Sequence, residues 1–247
     1  MKAFLIAFAI VVLGALVTIA AFSLNRSAAK NEITHETRDA TGFHRIEIAG
    51  VAVVTLVQGA AESVSVDAPA SVRVRTDVRD GTLVVDTEDR RPSWQWFAGR
   101  GTRQTPRVTI NLRELDHVEA AGAVKLVADT LRSPNLRLDL SGACSLTVHD
   151  LQATTLRLDG SGATKIDIAG KVTRQDVDLS GAGSYQAGNL TSDEASVGVS
   201  GAGKALVNAR NSLSVEISGA GKVEYFGDPK LKQTISGVGK VIRREAS

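Results

Sequence analysis

The sequence predicts an all-β protein, a β-solenoid of coils about 18–20 residues long, preceded by one N-terminal hydrophobic helix. Three observations carry this reading. The tripeptide Ser-Gly-Ala recurs at Ser141-Gly142-Ala143, Ser161-Gly162-Ala163, Ser180-Gly181-Ala182, Ser200-Gly201-Ala202 and Ser218-Gly219-Ala220, and once more as Ser236-Gly237-Val238. Counted from the degenerate copy Ala121-Gly122-Ala123, successive glycines lie 20, 20, 19, 20, 18 and 18 residues apart, too close for paired-helix repeats of about 33 residues or more. Each copy is flanked by apolar residues two apart, as in Leu138-Asp139-Leu140 and Val215-Glu216-Ile217, which is the period of a half-buried strand.

Taken in chain order, the first element is the apolar run Ala3 to Leu24, whose 22 residues suffice to cross a bilayer as a helix. It reads as a signal anchor, longer than the usual secretory h-region, with signal-peptide cleavage near Ala20 or Ser23 as the alternative. No cysteine stands just after the run, so lipoprotein anchoring has no support. Residues 25–41 are polar and mixed in charge and read as a tether. The folded domain, 42–247, is expected to begin near Phe43, with alternating runs at Val51 to Val57, Val64-Ser65-Val66, Val72-Arg73-Val74 and Leu83-Val84-Val85.

Beyond these runs lie the repeats, with two or three short strands expected per coil. Leu126, Leu146, Ile166, Tyr185, Ala205, Val223 and Val241 share one offset from their glycines and should stack as an interior ladder. Gly142, Gly162, Gly181, Gly201, Gly219 and Gly237 are the structural corners, where positive φ or close approach of coils is needed. The charged end Ile242-Arg243-Arg244-Glu245 reads as a stop against end-to-end stacking.

Phe43-His44-Arg45-Ile46, Gly50-Val51-Ala52-Val53, Gln58-Gly59 and Asp80-Gly81-Thr82-Leu83, followed by the Ser-Gly-Ala series, resemble the head GIN domain family of auto-transporter adhesins. The resemblance implies a right-handed parallel β-helix-like solenoid outside the cytoplasm, with no enzymatic activity or catalytic residues to carry over. Ala52 departs from the asparagine of the family's name.

Composition excludes several function classes. A net charge of +2 gives no global field for nucleic acid. Cys144 is the only cysteine, which rules out an intramolecular disulfide and points to a small buried hydrophobe. His35, His44, His117 and His149 have no metal-ligand spacing and read as surface residues, and no cofactor motif is found. Gly198 to Lys204 imitates a phosphate-binding loop, but Ala205 replaces the required Ser or Thr and no helix is expected next.

Three constellations remain as candidate sites. Asp139, Asp159 and Asp178 share an offset and would stack about 4.8 Å apart, a spacing that suits polysaccharide-cleaving carboxylates or Ca²⁺. Arg137 and Arg157 beside the first two favour a neutralised ladder instead. Lys204, Lys222 and Lys240, with Lys125 and Lys165, form a basic stripe fit for anionic lipid or polysaccharide, or for solubility alone. Trp94, Trp96, Phe97, Arg100 and Arg103 break the β pattern and read as a contact loop or as a lid on the solenoid. Expected partners are cell-surface polysaccharide, anionic lipid or another envelope protein, with the membrane reached through residues 3–24. The expected function is therefore a non-enzymatic envelope binding module in the cytoplasmic membrane, facing outward, or periplasmic or secreted after cleavage. A polysaccharide-active enzyme using the aspartate ladder is the alternative.

Overall fold

The computed structural model describes residues 33–89 and 104–245. The apolar run 3–24, the first part of the tether (25–32), and the segment holding Trp94, Trp96, Phe97, Arg100 and Arg103 lie outside them. The described chain is all β, and none of it is a helix able to cross a membrane. Its spine is a stack of parallel strands: β2 (Arg45–Gln58), β7 (His117–Gly142), β8 (Ser145–Gly162), β9 (Lys165–Gly181), β10 (Ser184–Gly201) and β11 (Lys204–Gly219). The last full coil is divided between β12 (Lys222–Phe226) and β13 (Lys230–Gly237), and β14 (Lys240–Arg243) begins a further one on β12.

Where two or three short strands were expected per coil, β8 to β11 each run 16–18 residues and bend without losing their ladder. The ladders carry register shifts at Val148/Leu151 and Gln186/Leu190. Bulges absorb the bend while the backbone hydrogen bonds to neighbouring coils continue on either side. In these four coils only the Ser-Gly-Ala corner interrupts the strand.

That corner follows from one backbone requirement. Gly50, Gly122, Gly142, Gly162, Gly181, Gly201, Gly219 and Gly237 form a register-true column, all with positive φ. A Cβ at Gly201 would meet the Gly181 carbonyl oxygen at 2.6 Å. The same carbonyl accepts from the Ala202 N–H at 2.9 Å, and the corresponding bond recurs at Ala143, Ala163, Ala182 and Ala220. Glycine is needed for both the dihedral and the approach, and the bond it permits ties each coil to the one before.

Inside, apolar columns run the length of the stack. Leu126, Leu146, Ile166, Tyr185, Ala205, Val223 and Val241 pair in register as expected, and the first six are buried. Each large aliphatic removed from water contributes about 1.5–3 kcal/mol, so a core with few aromatics is built by repetition.

The N-terminal end is assembled out of chain order. β5 (Thr82–Asp89) and β6 (Arg107–Leu112) lie parallel to the two halves of β2, on the side away from β7. The antiparallel strands β3 (Ser63–Pro69) and β4 (Val72–Arg79) then pair with β6 and β5. The tether reading fails over Ile33–Arg38: this stretch is strand β1, antiparallel to β3, so the fold starts before Phe43. It lacks apolar alternation because it is an exposed edge, held by main-chain pairing, by His35 against Asp67, and by Arg38 donating to the Val74 carbonyl.

Candidate functional site

The strands that lead into the glycine corner carry a groove of about 500 Å³ lined by Glu119, Asp139, Asp159, Asp178 and Glu216, with the serines of the repeat beside them. Three of these carboxylates are the predicted ladder, in register. Glu119 and Glu216 went unread, although they too stand three residues before their corner glycines, as does Glu47, which pairs with Glu119. The offset was the available signal.

The two halves of the ladder differ electrostatically. Asp139 accepts from Arg137 Nε at 2.8 Å and lies 2.7 Å from His117 Nε2, and Arg137 also reaches Asp159 at 3.2 Å. Burial works to raise the Asp139 carboxyl, but Arg137 and His117 outweigh it and hold it below the usual carboxylate range. His117, read as an ordinary surface histidine, is thus half-buried and part of the ladder, because its coil places it over the Arg45 column and beside Asp139. The next coil breaks the basic column, since Arg157 pairs in register with Asp176. Asp178 accordingly has no cation within ion-pair distance among the described residues. Burial, then Asp176 and Asp159, push its carboxyl up. A Cβ at Gly198 would run into Asp178 Oδ1, so glycine leaves the space this side chain occupies.

Chemically, one half of the groove is a neutralised guanidinium–carboxylate lattice and the other offers unpaired acidic oxygens and hydroxyls. Among the described residues its lining holds no aromatic side chain. Among the described residues no group of His, Cys, Asp or Glu is arranged to hold a metal ion. Cys144 is buried, with its thiol pushed up by burial.

The predicted lysines lie past the corner, on another face. Lys125, Ser145, Lys165, Ser184, Lys204, Lys222 and Lys240 form one continuous column. Lys204 heads a strand rather than a helix, which removes the phosphate-loop likeness. The structure therefore separates the acidic and basic candidates and does not combine them.

Residues 42–229 match the family described as "Putative auto-transporter adhesin, head GIN domain". The chain belongs to that family. Among solved structures, this head GIN domain is similar to a "putative adhesin" from Bacteroides fragilis, with 19% identity, a TM-score of 0.76, and 86% of this chain and 97% of that one covered. It is also similar to a "Putative lipid binding protein" from Parabacteroides distasonis, with 16% identity, a TM-score of 0.67, and coverage of 87% and 97%. At these identities the likeness establishes the shared solenoid fold. No curated protein matches the chain.

Proposed function

We propose that this head GIN domain is a non-enzymatic, extracytoplasmic binding module, adhesin-like in presenting a rigid solenoid to material at the cell surface. The observation that carries the reading is family membership over residues 42–229. Residue chemistry supports it: Asp139 and Asp159 are bridged by Arg137, which leaves them poorly placed to exchange protons, and the described residues of the groove lining include no aromatic platform for a sugar ring. The structural neighbours described as adhesins and as lipid-binding are consistent with contact to a surface. In this reading residues 3–24 anchor the chain in the cytoplasmic membrane, and the segment with Trp94, Trp96, Phe97, Arg100 and Arg103 adds a contact.

The test is a glycan and lipid array probed with the full-length chain, alongside the Trp94→Ala/Trp96→Ala variant. The reading expects wild-type retention, and loss of retention in the variant with its melting transition nearly unchanged. A stability loss of about 3–5 kcal/mol per ring with binding kept would return that segment to the architecture.

A second reading has one observation in its favour. The raised Asp178 carboxyl, close to Asp159 in a groove, is the arrangement a general acid requires. It expects sugar release from an envelope polysaccharide that Asp178→Asn abolishes.

A further inference from the structure

The lysine column lies on a face whose neighbouring columns are equally regular. Toward the corner stand Ala123, Ala143, Ala163, Ala182, Ala202 and Ala220, all exposed, and then Val238 at 79% exposure. Beyond the lysines stand Thr147, Asp167, Gln186, Leu206, Glu224 and Ile242, the last 39% exposed. Val238 and Ile242 therefore flank Lys240 on the outside of the solenoid, and alanines leave the surface toward the corner low.

Lys204, Lys222 and Lys240 occupy consecutive coils, about 4.8 Å apart, and like charges directly opposite one another repel. The face supplies little to offset this. Glu224 pairs with Lys222 at 2.7 Å and is shared with Arg244, and Asp167 is the other acid of its column. Lys125, Lys165, Lys204 and Lys240 have no carboxylate within ion-pair distance among the described residues. From Lys125 to Lys240 the column spans six strand spacings, roughly 29 Å.

A linear polyanion would answer the lysines but make no use of Val238 and Ile242. A second copy of this face would set lysine against lysine. A bilayer rich in anionic lipid answers both, because headgroup phosphates meet ammonium groups while short apolar side chains enter the headgroup boundary, and a flat strand face can lie along it. We infer that this face, centred on Lys204, Lys222 and Lys240 and flanked by Val238 and Ile242, docks on an anionic lipid bilayer. The inference rests on the extracytoplasmic binding module proposed above and names its partner.

The experiment uses the full-length chain in neutral phosphatidylcholine nanodiscs, carrying Cys144→Ala and Val238→Cys, with a polarity-sensitive fluorophore on the new thiol. Vesicles of phosphatidylcholine alone, or with phosphatidylglycerol, are then added. The expected result is a blue shift only with phosphatidylglycerol, absent when the fluorophore is carried on Ser196→Cys, in the strand run that leads into the corner. Combining Lys165→Gln, Lys204→Gln and Lys240→Gln should weaken the response roughly 100-fold, since each lysine near an anionic surface is worth a factor of about five. A label that stays in water, one that responds equally to neutral vesicles, or one that shifts with protein concentration before vesicles are added overturns the site. If array retention persists in that case, the binding-module reading stands and only its lipid face falls. Loss of both ends both.

Discussion

Gly201 and Lys204 stand three residues apart in the same repeat and carry opposite kinds of constraint. Gly201 has φ +121° and a neighbouring carbonyl where a Cβ would go, whereas the Lys204 side chain is exposed. Gly201→Val should therefore cost more than about 3 kcal/mol and Lys204→Ala less than about 0.5, read from denaturant melts. Equal losses would remove the backbone account of the corner. Asp178 makes a finer test. Its carboxyl is pushed above the ordinary Asp value by burial and by Asp176 and Asp159, so ionising it costs the native state more than the unfolded chain. Its favourable contribution is complete below the unfolded value and is lost as pH rises through the folded one. Asp178→Asn, which stays neutral, should then melt higher than wild type near pH 7, by under about 1 kcal/mol because solvent at the open groove screens the charge, with the advantage closing below about pH 4. A variant less stable at pH 7 would contradict this.

At the scale of the element, the coils of β9 and β10 enclose a polar chain within the apolar core. Tyr185 Oη donates to Gln175 Oε1 at 2.9 Å, Gln175 Nε2 donates to Ser192 Oγ at 2.8 Å, and Ser192 Oγ donates to the Asn208 carbonyl at 2.9 Å. All three side chains are buried, and Ser192 stands at the register shift between β10 and β11. Tyr185→Phe keeps the ring but leaves Gln175 Oε1 without its donor, so calorimetry should find a loss of about 1–3 kcal/mol. No loss would mean that the network is incidental to the coil. Tyr185 was legible in the sequence as an interior rung, because its offset from Gly181 is that of Leu146 and Ile166. Gln175 was not, because a buried polar side chain carries no periodic signature and its partners lie one coil away. The Asp139, Asp159 and Asp178 column could be read from spacing alone. The difference between Asp139 and Asp178 needed the pairing of Arg157 with Asp176. β1 was missed because an exposed edge strand needs no apolar face.

Across the whole molecule, the repeat turns a one-dimensional spacing into surfaces of unlike character. The strands before the corner gather carboxylates into a groove, and those after it align lysines along the stack. A net charge of +2 conceals this division. The rigidity comes from coil-to-coil pairing, which continues from β2 through β14. Such a body suits adhesive contact, where side chains at fixed spacing meet a repetitive partner and no substrate need be enclosed. The same groove could instead belong to an enzyme only if its carboxylates cleaved what they touch. Both readings meet in one measurement: the full-length chain is incubated with envelope polysaccharide, and retention and newly released reducing ends are followed together over time. A non-enzymatic binding module leaves the polymer's length unchanged. Release of reducing ends that grows with protein concentration and disappears in Asp178→Asn would contradict it.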